Sequence, residues 1–102
     1  MTREQIDAWF EAHRKEILED YYTLLRFPTI GADPARVGDC VTCATWIQAF
    51  LEKLGFATEL VQQTAELPPL VVAERPVPDA ERTILVYGHY DVQPVDPVEL
   101  WE

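Results

Sequence analysis

Basic side chains are scarce in this sequence. Eight Lys and Arg against eighteen Asp and Glu give a formal net charge of −10. A nucleic-acid-binding surface needs clustered basic residues that neutralise phosphates, and anionic membranes attract polybasic segments. The charge balance therefore argues against both kinds of partner. An acidic surface favours solubility and attracts cations, including divalent metals.

Long apolar runs are also lacking. No stretch approaches the roughly 20 apolar residues of a membrane-spanning helix, and the polar first residues lack the apolar core of a secretory signal. The sequence therefore predicts a cytoplasmic protein. Its 102 residues, 48% hydrophobic and 25% charged, have ordinary globular composition and allow one domain at most.

The first part of the chain predicts a long helix. Thr2 and Gln5 have the spacing of a capping box, and apolar residues then recur at helical intervals to about Arg26. Pro28 ends the helix, because the residue before a proline avoids the helical conformation. His13 lies on the apolar face, where a histidine is far more often packed than catalytic.

A second helix is predicted from Asp39, as its cap, to about Leu54, with Gly55 closing it in the left-handed conformation. Cys40 and Cys43 form a Cys-x-x-Cys motif in its first turn. A helix N-terminus lowers a thiol pKa, so thiol-redox chemistry is one interpretation. The motif follows a loop and not a strand, which favours two small helix residues that stay reduced.

Three strands are predicted after the helices. Residues 56–63 alternate in the manner of a half-exposed edge strand, residues 70–75 form the second strand, and residues 83–87 are continuously apolar and β-branched. The third is expected to be the most buried, covered on both faces. The sequence thus predicts an α/β fold, in which two amphipathic helices pack on a mixed, largely parallel sheet.

A His-x-Asp pair follows the third predicted strand. Residues two apart in extended chain point to the same side, so the side chains of His89 and Asp91 can converge on one cleft. Gly88 lets another group approach the backbone beside the histidine. Asp91 could hold the second ring nitrogen of a metal-binding His89, or could itself be a ligand. The alternative is a core histidine followed by an aspartate that caps a turn.

The sequence Gly-His-Tyr-Asp-Val-Gln-Pro at residues 88–94 resembles the first metal-site motif of the carnosinase-like zinc dipeptidases. These belong to metallopeptidase family twenty, with the aminoacylases, glutamate carboxypeptidases and desuccinylases. The resemblance extends over nearly the whole chain, through Asp96-Pro97, Leu100-Trp101 and residues 25–30, 51–56 and 71–74.

This resemblance implies roles for two residues. His89 would bind one of two zinc ions that share a bridging carboxylate and a bridging water, and Asp91 would be catalytic by orienting and polarising His89. The implied reaction is hydrolysis of a dipeptide or an N-acyl amino acid by metal-activated water. Manganese or cobalt could replace zinc, because a histidine and carboxylate site accepts several metals.

The family's other ligands and its Glu general base have no match in this chain, and Glu99 and Glu102 lack the family's Glu-Glu context. The resemblance therefore implies that residues 1–102 are the N-terminal portion of one catalytic domain, without the lid and dimerisation domain, and that the full-length parent can form a homodimer. We expect the isolated chain to be inactive and to bind no metal tightly, because one histidine cannot hold a catalytic zinc.

Two alternatives of other classes remain. The chain could be a small non-catalytic α/β module that binds a partner protein. The less favoured alternative is a thiol-redox protein that uses Cys40 and Cys43.

Overall fold

The computed structural model describes all 102 residues, from Met1 to Glu102. Two α-helices are followed by two β-strands, so the predicted α/β class is confirmed. The elements are α1 (Arg3–Leu25), a 3-10 turn (Pro34–Arg36), α2 (Val37–Lys53), β1 (Ala57–Val61), β2 (Leu70–Glu74) and a second 3-10 turn (Val98–Leu100). Neither helix combines the length and the apolar character needed to cross a membrane.

Helix α1 begins as predicted. The side chain of Thr2 accepts a hydrogen bond from the backbone of Gln5 at 3.2 Å, and the side chain of Gln5 accepts one from the backbone of Thr2 at 2.8 Å. The capping box is therefore confirmed. No residue of α1 is buried, and Trp9 is 55% exposed. His13 packs on Trp9 with ring centroids 4.3 Å apart, and its Nδ1 lies 2.7 Å from the Trp9 carbonyl oxygen.

Helix α2 begins three residues earlier than predicted, with Arg36 and not Asp39 at its cap position, so the prediction that Asp39 caps it was wrong. Asp33 caps the preceding 3-10 turn by accepting a backbone hydrogen bond at 2.9 Å, with Pro34 at the start of that turn. The turn runs directly into α2, so Asp39 lies inside the first helical turn, where it pairs with Arg36 at 3.1 Å. The predicted left-handed Gly55 is confirmed, with a φ of +87°.

The sheet has two strands, and they are antiparallel. Residues of the two strands alternate between exposed and half-buried, and the half-buried Leu60 lies opposite Val71. A largely parallel sheet is not found, because the connection between β1 and β2 is too short for the crossover that parallel strands require. The parallel pairing in the structure is a single bridge between Ile30 and Val92.

The third strand was predicted wrongly. Residues 83–87 form no strand. The four apolar side chains that were expected to be the most buried are highly exposed: Ile84 86%, Leu85 91%, Val86 87% and Tyr87 85%. A strand buried on both faces needs neighbouring strands and covering layers. Here β1 and β2 pair with each other, and neither pairs with this segment.

The buried centre is small and lies where the loop after α1, the start of α2 and the start of β2 meet. Its five residues are Thr29, Cys40, Cys43, Ala44 and Pro69. The radius of gyration is 16.8 Å, against about 13 Å for a compact domain of this length. The architecture is therefore open, and its one packed region adjoins the His89–Asp91 segment.

Candidate functional site

His89 and Asp91 form a hydrogen-bonded pair. Nδ1 of His89 lies 3.1 Å from Oδ1 of Asp91 and 3.1 Å from its carbonyl oxygen. Both oxygens only accept hydrogen bonds, so the proton of the neutral ring is assigned to Nδ1. Nε2 makes no hydrogen bond within the chain, and the His89 side chain is 74% exposed. The pair therefore presents an accessible ring nitrogen with a free lone pair.

Tyr90, between these two residues, faces the opposite way and anchors the segment. Its hydroxyl donates a hydrogen bond to the carbonyl oxygen of Pro69 at 2.5 Å. Burial raises the pKa of Tyr90 to about 12, and the neighbouring Cys40 and Cys43 contribute in the same direction. Successive side chains of an extended chain point to opposite sides. Because the side chain of Tyr90 packs inward, those of His89 and Asp91 both point outward.

The loop after α1 holds the same segment from a second side. The Thr29 hydroxyl donates to the carbonyl oxygen of Tyr90 at 2.6 Å, and the Thr29 carbonyl accepts from the backbone of Val92 at 2.8 Å. Thr29 itself is 2% exposed. These bonds bracket Asp91, because they fix the residues before and after it.

The two cysteines form part of the packing beneath Tyr90. Both are fully buried and free. Burial raises the pKa of Cys40, with Asp39 and Asp91 acting in the same direction. Burial also raises the pKa of Cys43 to about 11, with a smaller contribution from Cys40. A buried thiol that holds its proton is a poor nucleophile, so the environment opposes the thiol-redox interpretation.

A groove of about 870 Å³ opens beside the pair. One wall is formed by the last turns of α1, a second by α2, and a third by residues 86–91, which include His89 and Asp91. Most of its lining is apolar, including Tyr21 and Phe50. The His89–Asp91 pair therefore has a sizeable apolar surface next to it.

The close approach of another group to Gly88, which the sequence predicts, is not made by any residue of the chain. No heavy atom lies within 4 Å of the position that a Cβ would occupy at Gly88. An approach by a group from outside these residues stays a prediction. The glycine that the candidate site residue Asp91 approaches is Gly31.

Sequence reasoning missed three residues of this site. Tyr90 could have been found from the alternation that predicted the outward pair. The sequence did not reveal the contacts of Thr29 and Gly31 with residues 90–92, because these contacts join distant parts of the chain. Thr29 and Tyr90 are 61 positions apart.

The chain's own residues do not fit a complete metal centre. No group of three or more His, Cys, Asp and Glu side chains is arranged to hold a metal ion. A catalytic zinc takes three protein ligands, whereas the site offers one free imidazole nitrogen and a carboxylate already bonded to that ring.

Comparison with known proteins gives matches to dipeptidases. The chain is 26% identical over 103 residues to the Cys-Gly metallodipeptidase DUG1 of Candida albicans, covering 90% of this chain and 21% of that protein. It is 28% identical over 89 residues to a cysteinylglycine-S-conjugate dipeptidase of Corynebacterium striatum, covering 87% and 19%. It is 23% identical over 109 residues to the Cys-Gly metallodipeptidase dug1 of Schizosaccharomyces pombe, covering 99% and 23%.

No family model matches the chain, and no solved structure matches it. The chain spans about a fifth of the length of the curated relatives that it matches. Over most of its own length, it is similar to metallodipeptidases.

Proposed function

We propose that this chain contributes one part of the active site of a metal-dependent dipeptidase. In this proposal His89 is a metal ligand through Nε2, and Asp91 orients its ring. The observation that carries it is the 3.1 Å contact between Nδ1 of His89 and Oδ1 of Asp91, which leaves Nε2 without a partner in the chain.

The chemistry of the pair follows from that contact. The carboxylate holds the proton on Nδ1, so the lone pair of Nε2 stays available, and it restricts rotation of the ring. A carboxylate behind a ligand histidine also increases the basicity of the ligand nitrogen. A divalent metal bound at such a centre supplies an activated water and stabilises charge on the amide oxygen.

The substrate class is proposed from the relatives. Two of them are named as Cys-Gly metallodipeptidases and one as a cysteinylglycine-S-conjugate dipeptidase. We propose a dipeptide substrate, with Cys-Gly as the first one to test, and N-acyl amino acids as the broader class. Zinc is the proposed metal. That the full-length parent can form a homodimer and that the protein is cytoplasmic stay predictions.

The remaining ligands are proposed to come from outside residues 1–102, because the chain offers only one free imidazole nitrogen near the site. The isolated chain is then inactive and binds zinc weakly. Calorimetric titration of the 102-residue chain with zinc tests this part of the proposal. Tight binding at one zinc per chain would contradict it.

A partner-binding module is the second candidate function. The exposed apolar side chains of residues 84–87 favour it, since contiguous exposed apolar surface marks interaction sites. It differs from the first candidate in predicting that His89 can be replaced without loss of function.

The decisive experiment compares the chain's two histidines in the complete gene product. His89→Gln is expected to lower kcat/KM for Cys-Gly hydrolysis by about 100-fold or more, because a metal ligand is lost. His13→Gln is the matched control, since His13 packs on Trp9 in α1, and it is expected to retain activity. Equal activity of the two variants, or no metal-dependent hydrolysis by the unmodified protein, would overturn the proposed function.

A further inference from the structure

The Asp91 carboxylate lies against Gly31, a residue of the loop after α1. A Cβ placed on Gly31 would be 2.9 Å from Oδ2 of Asp91 and 3.1 Å from its Cβ. Gly31 does not have the positive φ that makes Gly55 intolerant of a side chain. A side chain at this position would therefore force the Asp91 side chain to shift, because the space is occupied by the carboxylate that bonds His89.

Thr29, two residues earlier in the same loop, fixes the backbone on both sides of Asp91. Its hydroxyl donates to the carbonyl oxygen of Tyr90 at 2.6 Å. Its carbonyl oxygen accepts from the backbone N–H of Val92 at 2.8 Å. Thr29 is buried, so neither bond competes with bulk water. The peptide units that flank Asp91 are therefore held while its side chain stays half-exposed.

We propose that Thr29 and Gly31 are positioning residues for the His89–Asp91 pair. Thr29 sets the backbone that turns Asp91 toward His89, and Gly31 leaves room for the carboxylate to place Oδ1 at the ring. Together they keep the His89 proton on Nδ1 and the lone pair on Nε2. The catalytic meaning of this arrangement rests on the proposed function, whereas the arrangement itself can be measured without any activity.

The first test replaces Gly31. In Gly31→Ala the new methyl group meets the Asp91 side chain and displaces it from Nδ1 of His89. We expect the ¹⁵N spectrum of the His89 imidazole in the metal-free complete gene product, labelled on histidine, to change from one Nδ1–H tautomer to a mixture. Gly38→Ala is the matched control, because no heavy atom lies within 4 Å of a Cβ at that position, and its spectrum should equal that of the unmodified protein.

The second test replaces Thr29. Thr29→Val keeps the shape of the side chain and removes the hydroxyl that bonds Tyr90, whereas Thr29→Ser keeps the hydroxyl. The valine variant is expected to shift the His89 tautomer in the same direction as Gly31→Ala, and the serine variant to restore the original spectrum. A purely structural role for Thr29 would lower stability in the valine variant without moving the tautomer.

Activity provides the third readout. Loss of the group behind a metal ligand lowers activity by about 10–100-fold. Because Asp91 is still present in Gly31→Ala, we expect about a tenfold lower kcat with KM little changed. Gly38→Ala should retain the original kcat.

The outcomes separate this inference from the proposed function. Unchanged His89 spectra in both Gly31→Ala and Thr29→Val would overturn the positioning role, whatever the activity. Shifted spectra in a protein that hydrolyses no dipeptide would support the positioning role and overturn the proposed function. If Gly31→Ala does not fold, the comparison of Thr29→Val with Thr29→Ser decides the question.

Discussion

Residues 84–87 and residues 89–92 are neighbours in the chain, yet only the second segment is held by other parts of the structure. The first four side chains are at least 85% exposed. The second segment is bonded to Thr29 and Pro69, with Tyr90 inserted above the buried cysteines. The difference shows that the apolar pattern of a segment does not decide its burial. Burial depends on whether other parts of the chain supply its partners.

Removal of the Tyr90 side chain should have the largest effect on the difference between residues 84–87 and residues 89–92. Tyr90→Ala in the 102-residue chain is expected to lower the free energy of unfolding by about 2–3 kcal/mol, because a half-buried aromatic ring and a hydrogen bond are lost. Tyr90→Phe keeps the ring and should cost about 1 kcal/mol. Urea denaturation of the three proteins measures both values. Equal stability of the alanine variant and the unmodified chain would show that Tyr90 is not an anchor.

Amide hydrogen exchange should distinguish the two segments directly. The amide of Val92 donates to Thr29, whereas the amides of residues 84–88 have no backbone acceptor. In the 102-residue chain we expect Val92 to exchange about 100-fold more slowly than these amides, which corresponds to roughly 3 kcal/mol of local opening free energy. Equal exchange rates for Val92 and residues 84–88 would show that the two segments do not differ in protection. Under the proposed function, protection of residues 84–88 in the complete gene product would show that further sequence covers them.

Alkaline pH should weaken the anchored region. An unfolded thiol ionises near pH 9.0, whereas Cys43 holds its proton to about pH 11. Between these values the unfolded state binds fewer protons than the folded state, so the free energy of unfolding falls as pH rises. Tyr90 acts in the same direction between about pH 10 and 12.

Urea midpoints at pH 7.5, 9.5 and 10.5 measure this dependence. Cys43→Ala lacks the titrating thiol and should show a shallower decrease between the first two pH values. An increase in stability above pH 9 would contradict the assigned burial of Cys43.

The smallest effect is expected in the exposed segment. Leu85→Ala should change the free energy of unfolding of the 102-residue chain by less than about 0.5 kcal/mol, because the side chain is 91% exposed. The same substitution at the half-buried Leu60 of β1 is the control and should cost more. A larger loss at Leu85 than at Leu60 would show that residues 84–87 are packed in solution.

Local signals predicted much of this structure. The capping box at Thr2, the left-handed Gly55 and the alternation in β1 depend only on residues close in sequence, and the structure has all three. Signals that depend on distant partners were less reliable. The run at residues 83–87 has the composition of a buried strand, but composition does not reveal whether neighbouring strands are present to pair with it.

The candidate site shows the same difference between local signals and signals that depend on distant partners. The outward orientation of His89 and Asp91 follows from the two-residue alternation, and the structure brings the two side chains together. The loop that supports them could not be predicted, because Thr29 and Gly31 meet residues 90–92 only after folding. Their metal-binding and catalytic roles stay predictions.

The orientation of His89 by Asp91 is tested most directly by the ¹⁵N spectrum of the His89 imidazole in the complete gene product, recorded with and without zinc. We expect that Nδ1 keeps its proton in both spectra and that only the Nε2 resonance shifts when zinc binds. A proton on Nε2, or an Nε2 resonance that zinc leaves unchanged, would contradict it.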